Sequence, residues 1–346
     1  MTRKLFYGLM VISVITGFLC GEIANAEQHP KFKVQILTTP MGAGAYYVGF
    51  KWAEIVNRKR FWLEAEAIEG MSSTTNIKLI MKEPERRKNT IFNSNNISAS
   101  FARNGLPPFT KKYQDVLGSQ LQAISGQYSL LCPFITLDPS IKTVHDLVGK
   151  RVVMGPKGMV AGLVNRYILE QQGLWDKVKP QYMGFKPSAT ALGDGLVDAI
   201  VALVTVAGPG KYSVNPAFAE LTTTKTVHLV HGGDPKIILK AGERRGIEIT
   251  PVNLSGEFQG RRIPQPMNTF YLGVEWCVDE TMDEEVVYEM TKLLYENIDE
   301  IKKVHPSLKV VTKESLPNVT LEKYFHRGAK RFYKEVGLKV GFQGLD

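Results

Sequence analysis

Residues 149–173, GKRVVMGPKGMVAGLVNRYILEQQG, decide the fold. Arg151-Val152-Val153-Met154 reads as a short buried strand, apolar and partly β-branched, that ends in a Gly-Pro turn. Gly155-Pro156-Lys157-Gly158 breaks the chain. From Met159 onward Val160, Leu163, Val164, Tyr167 and Ile168 recur at helical spacing, and Gly173 stands where a helix C-terminal glycine belongs. A strand that turns through glycines into a helix aims the helix's unpaired N–H groups, with their partial positive charge, at the turn. Such a corner suits an anion or a carbonyl oxygen. Its glycine pattern is neither a dinucleotide fingerprint nor a Walker loop.

The same unit occurs earlier. Residues 32–37 alternate as a strand, 38–44 form a glycine-bearing loop, and 46–57 carry helical apolar spacing. Further strands are expected over 63–68, 90–92, 121–125, 128–137, 178–183, 198–204, 227–230 and 270–278. Helices are expected over 75–81, 97–104 and 143–147, from 187, and over 283–304 and 321–335. Alternating βα units in two halves imply an α/β chain of two domains with a cleft between them.

The 346 residues are 44% hydrophobic and 22% charged, enough for two sizeable cores. Arg3 and Lys4 precede an apolar run over 5–19, and Ala24-Asn25-Ala26 is a small-x-small cleavage site. This reads as a secretory signal peptide over 1–26, cleaved after Ala26, which places the mature chain in the periplasm. Gly8, Ser13, Thr16 and Gly17 within the run argue against a membrane anchor. Cleavage removes two positive charges and one negative, taking the net charge from +9 to +8. The basic clusters at 58–60, 86–88, 244–245 and 261–262 are not interleaved with aromatics, so nucleic acid is not an expected partner. Cys132 and Cys277 remain after cleavage, either as a disulfide or as two buried thiols.

Several stretches together resemble the TAXI-type solute-binding proteins of tripartite (TRAP) transporters. Gly42-Ala43-Gly44-Ala45-Tyr46-Tyr47 is similar to that family's G-G-T-Y-Y loop. Asp146-Leu147-Val148-Gly149-Lys150-Arg151-Val152, followed by Gly155-Pro156, is similar to its D-L-x-G-K-R-V…G-P. Gly195-x-x-Asp198-Ala199 resembles its G-x-x-D-A, Ala207-Gly208-x-Gly210 falls near its small-residue loop, and Val287-Tyr288, Tyr295-Glu296-Asn297 and His305-Pro306 follow in order. The likeness is colinear over nearly all of the mature chain. It implies a two-lobed, type II-like periplasmic binding protein, lobe 1 from 27–131 plus 275–346 and lobe 2 from 132–274. It implies strands 128–136 and 270–278 crossing between lobes, with Cys132 and Cys277 facing each other if those strands are neighbours. It also implies a monomer that hands a small organic anion to membrane permease subunits. An alternative on the same fold is a binding or sensor subunit without a transport role.

Ligand contacts are expected from Ala43, Tyr46, Tyr47, Ser72, Asn76, Ser94 and Asn95 on one side and from Lys157, Met159 and Thr205 on the other. The tyrosines offer an apolar body with a polar tip, Ser72 and Asn76 lie at a helix start, and Ser94 and Asn95 end a strand. The resembling family has a polar S-G-T-like run where Met159-Val160-Ala161 stand, and an acidic residue where Asn95 stands. The cleft is therefore expected to be less polar, and its ligand more apolar than glutamate. No His or Cys spacing suits a metal, no G-x-S-x-G elbow occurs, and no cofactor motif or carboxylate pair suggests catalysis.

Overall fold

The computed structural model describes residues 30–60, 62–215 and 218–345. The signal-peptide reading therefore lies outside the described residues. In chain order the strands are β1 (Phe32–Leu37), β2 (Leu63–Ile68), β3 (Thr90–Asn95), β4 (Leu121–Leu131), β5 (Phe134–Thr136), β6 (Arg151–Val153), β7 (Lys179–Gln181) and β8 (Ala199–Val201). They continue as β9 (Val204–Gly208), β10 (Lys211–Val214), β11 (His228–Val230), β12 (Pro251–Leu254), β13 (Glu257–Phe258), β14 (Arg261–Arg262) and β15 (Met267–Asp279). The helices are α1 (Gly44–Lys59), α2 (Ser73–Lys82), α3 (Asn96–Asn104), α4 (Tyr113–Leu117), α5 (Val160–Gln171) and α6 (Phe185–Gly193). They end with α7 (Ala219–Thr224), α8 (Pro235–Glu243), α9 (Glu284–Glu296), α10 (Ile298–Ile301) and α11 (Arg327–Glu335).

Two mixed sheets carry the fold, and they repeat one pattern. The first contains the run β2-β1-β3-β15-β4, the second β7-β6-β8-β5-β11. In each, the first three strands are parallel and the next is inserted antiparallel before a last strand. Two α/β halves of type II-like order are the result. The halves are joined by β4 and β15, which pair antiparallel from Tyr271–Leu131 to Asp279–Leu121. The far ends of this pair collect β9, β10, β13 and β14 on one side and β12 on the other, so the first sheet extends past its own half.

One face of the first sheet packs against α1, α9 and α11 around Trp52 and Trp276, whose rings lie 5.6 Å apart, edge to face. Trp52 Nε1 donates to Met290 O at 3.2 Å, which satisfies a polar atom that burial would otherwise strand. The other face packs against α2, α3 and α4. Apolar packing there runs on into the second half, where the Phe101 ring of α3 stacks on Tyr167 of α5 at 6.2 Å.

The structure corrects five expectations. The strand expected over 198–204 is two, β8 in the second sheet and β9 in the first. Residues 128–136 are not one strand. β4 already includes Gly126 and Gln127, and Pro133, which has no N–H to donate, divides β4 from β5. The expected helix 283–304 breaks at Asn297, whose side chain donates to Leu293 O at 2.8 Å and ends α9. The expected helix 321–335 is a short turn followed by α11. The cysteines do not face each other. Cys132 N donates to Phe270 O, whereas Cys277 pairs with Ala123 and Phe92. The rise along β15 between those points is roughly 20 Å, far beyond disulfide reach, and both thiols are free and buried. No helix among the described residues is long and apolar enough to cross a membrane.

Candidate functional site

The two motifs that anchor the second half meet as one structural bond. Asp198 accepts from Arg151 N at 2.7 Å and from the Arg151 guanidinium at 3.1 and 2.8 Å, and Arg151 also reaches Gly195 O at 2.9 Å. These bonds hold the Asp198 carboxyl below its ordinary range and fix β8 beside β6. Upstream, Asp146 and Thr143 form a capping box on the turn that enters β6. Both features fix the framework of the corner rather than its mouth.

In the first half, three helices start at the carboxyl ends of β1, β2 and β3, the edge where open α/β sheets take ligands. Ala43 precedes α1 in extended conformation with no side-chain cap. Tyr46 and Tyr47 follow, both half-buried. Tyr46 lies against Phe50 with ring centroids 4.5 Å apart, and Tyr47 stacks on His305 at 5.5 Å. Ser72 is exposed and caps α2 by accepting from Thr75 N at 3.2 Å. Asn76 is buried, and its amide donates to Thr38 O at 2.7 Å and Asn93 O at 2.9 Å, pinning the first loop to β3. Asn95 caps α3 through Ser98 N at 2.8 Å. Hydroxyls of Thr74 and Ser98, 3.3 Å apart, tie the starts of α2 and α3 together.

In the second half, Lys157 is exposed on the corner loop between Gly155 (φ 81°) and Gly158 (φ 84°). Met159 folds back over that loop, so that a Cβ at Gly155 would stand 2.4 Å from its Cε. The methionine thus covers the start of α5 with apolar surface. Thr205 is half-buried on β9, paired with Leu130.

Elements of both halves also enclose a cavity of about 210 Å³ on the side where α1 begins. Its walls come from residues 126–129 of β4, Tyr271 and Val274 of β15, residues 206–209 of the β9–β10 hairpin, the 310–319 segment and residues 344–345. A Cβ at Gly44, the first residue of α1, would lie 3.5 Å from Tyr128 Cε1 and 2.8 Å from Ser307 Oγ. Among the described residues no charged side chain lines the cavity. Gln127 Oε1 accepts from Asn93 Nδ2 at 3.3 Å, while its Nε2 is buried with no partner among the described residues. Burial pushes the Tyr128 hydroxyl up to about 12, so it stays a neutral donor. None of the ten residues named from sequence lines this cavity, although Thr205 directly precedes Val206 of its wall. Gln127, Tyr128 and Ser129 were missed, and the available signal was Gly126. A glycine inside a strand marks a close backbone approach, and Gly126 N donates to Leu316 O at 2.5 Å, which brings in the 310–319 wall.

Behind the cavity a second polar group is sealed. Glu275 of β15 is fully buried opposite Ser94 in register. Its Oε1 accepts from Cys277 Sγ at 3.3 Å, while its Oε2 and Ser94 Oγ have no partner among the described residues. Burial pushes the carboxyl up to about 7, against a weaker opposing pull from the Arg103 charge. A protonated carboxyl brings its own donor to such a site. No cluster of three metal-ligating side chains occurs among the described residues.

Strand order, the crossing pair and a cavity shared by two halves define the class, the two-lobed fold of periplasmic binding proteins. The periplasmic sulfonate-binding protein SsuA from Methylobacillus flagellatus KT has the same fold, at 10% identity and a TM-score of 0.51, over 92% of this chain and all (100%) of that one. MatC from Rhodopseudomonas palustris, solved with bound malate, is 11% identical with a TM-score of 0.48, over 89% of this chain and 97% of its own. The chain itself belongs to the NMT1-like family, which it matches over residues 36–337.

Proposed function

We propose that the chain is an exported solute-binding receptor of the TAXI type, which captures a small organic acid between its lobes and delivers it to the permease of a tripartite transporter. The carrying observation is the small cavity walled by both halves beside two long strands, with no charged side chain in its lining among the described residues. A site built from both sides is complete only when the halves are close, so the ligand favours the closed arrangement by its differential contacts. The Gln127 amide receives the acid group, and Val206, Val274, Val311 and Val319 receive an apolar body. The ordered motifs from Gly42 to His305 support the transporter assignment, and the lobes divide near residues 131 and 275. Ala43, Tyr46 and Tyr47 frame the approach from the first half, and Lys157, Met159 and Thr205 from the second. Ser72, Asn76, Ser94 and Asn95 hold the loop starts between them.

A thermal-shift screen of the mature protein against carboxylic, amino and aromatic acids tests this. Binding to the native state alone raises the melting temperature by mass action, by about 2.7 kcal/mol of stability at a hundredfold excess over Kd. At least one acid is expected to stabilise the wild type and to lose that effect in Gln127→Leu. No shift with any anion at millimolar concentration would sink the receptor reading.

A further inference from the structure

The second half holds a larger cavity, of about 630 Å³, apart from the space between the lobes. It opens between the edge strand β11, the 139–143 loop and the β13–β14 hairpin with the segment that follows it. Four cations line it, Lys142, Lys225, Arg261 and Arg262, and among the described residues no aspartate or glutamate does. Among the described residues none of the four takes part in an ion pair, whereas Arg86, Arg151, Arg166 and Arg245 elsewhere all do. The carboxylate next to Lys142 in the fold, Asp146, is turned to the backbone N–H groups of Lys142 and Thr143 at 3.0 and 2.9 Å. Arg261 is steadied by Thr226 Oγ1 at 2.8 Å. His231 accepts from Gly233 N at its Nδ1 (2.9 Å), and burial lowers its pKa, so the neutral ring presents Nε2–H as a further donor. Beneath this rim the floor is apolar, with Ile141, Phe258 and Met267 all buried.

We infer that this cavity is a second binding site, for an amphipathic organic anion with one acidic head and an apolar body. The volume falls in the range of small-molecule sites. Four cations outside every ion pair among the described residues outnumber the two carboxylates close by, Asp146 beside Lys142 and Glu257 opposite Arg262 in the hairpin, and leave a positive field that an anion relieves; burial of an apolar tail on the floor supplies affinity that the head alone lacks. The inference is independent of the proposed interlobe ligand, because the two cavities share no lining residue.

Isothermal titration with octanoate on the full mature chain tests it, with acetate, octanol and octyltrimethylammonium as controls and phosphatidylglycerol vesicles as a lipid-bound source of the same chemistry. Octanoate is expected to bind saturably, at least tenfold more tightly than acetate or octanol, with no binding of the cation. The double variant Lys225→Glu/Arg262→Glu is expected to weaken octanoate at least tenfold. Lys225→Gln/Arg262→Gln does the same with smaller effect, and serves should the reversal disturb folding. Vesicle binding that the double variant abolishes, together with free octanoate binding, supports the site with a lipid as its source. Equal binding of octanoate and the cation, octanoate affinity unchanged in both variants, or no saturable binding, overturns the site. A Gln127→Leu chain that keeps octanoate binding separates this result from the fate of the interlobe reading.

Discussion

Glu275 shows what one residue contributes when its strand leaves it no solvent. Its native pKa of about 7 lies above the ordinary 4.5 of a glutamate, so between those values the native chain keeps a proton that the unfolded chain releases. The stability tied to that proton is complete below pH 4.5 and is lost as the pH rises through 7, a change of about 3 kcal/mol. His326, pushed down to about 4 by burial, acts in the opposite sense, losing stability as the pH falls from 6.5 toward 4. Urea denaturation of wild type and Glu275→Gln isolates the glutamate, since His326 is common to both. The variant's stability relative to wild type is expected to rise by up to about 3 kcal/mol between pH 4.5 and pH 8; a pH-independent difference contradicts the assignment. In the sequence the residue is visible only as a carboxylate within the apolar run of β15. Which face it takes, and that Ser94 sits opposite, depends on a register that no local pattern carries. Arg151 and Asp198 were legible as motif members, but their pairing emerges only when β6 and β8 lie side by side.

The βα corner was the most readable element, because strand, glycine turn and helical period follow each other within 149–173. Gly162 shows why that corner tolerates little change. A Cβ there would stand 2.0 Å from Met154 O, a backbone atom that cannot swing away. Alanine improves helix propensity by about 1 kcal/mol, yet the forced shift of α5 against β6 outweighs this. Gly162→Ala is expected to lower stability by about 1–3 kcal/mol, read as a lower denaturation midpoint in urea. A stabilised variant would show that α5 does not pack on Met154. The division at Pro133 had a visible cause in proline's missing donor. The short helix α4 and the break at Asn297 had weaker signals, since α4 is five residues long and Asn297 ends α9 through its own side chain.

At the level of the whole molecule, two α/β halves were legible from the alternation of units, while the cavity between them was not. Its walls come from β4, β15, a hairpin and the 310–319 segment, which lie far apart in sequence, and no spacing rule unites them. The cysteine geometry yields a direct check. Cys132 and Cys277 are expected to ignore a thiol reagent in the native protein, to react once guanidinium unfolds it, and to leave the melting temperature indifferent to reductant. A reductant-sensitive melt would contradict the observed register of β4 and β15. That register has a further consequence for how the chain is made. The strand inserted between β3 and β4 comes from residues 267–279, after the entire second sheet has been traversed. As the polypeptide emerges from its N-terminus, the opening half stays without its central strand until the closing quarter arrives. Delayed completion of this kind keeps the first half loose until nearly the whole chain is available, so that it locks last.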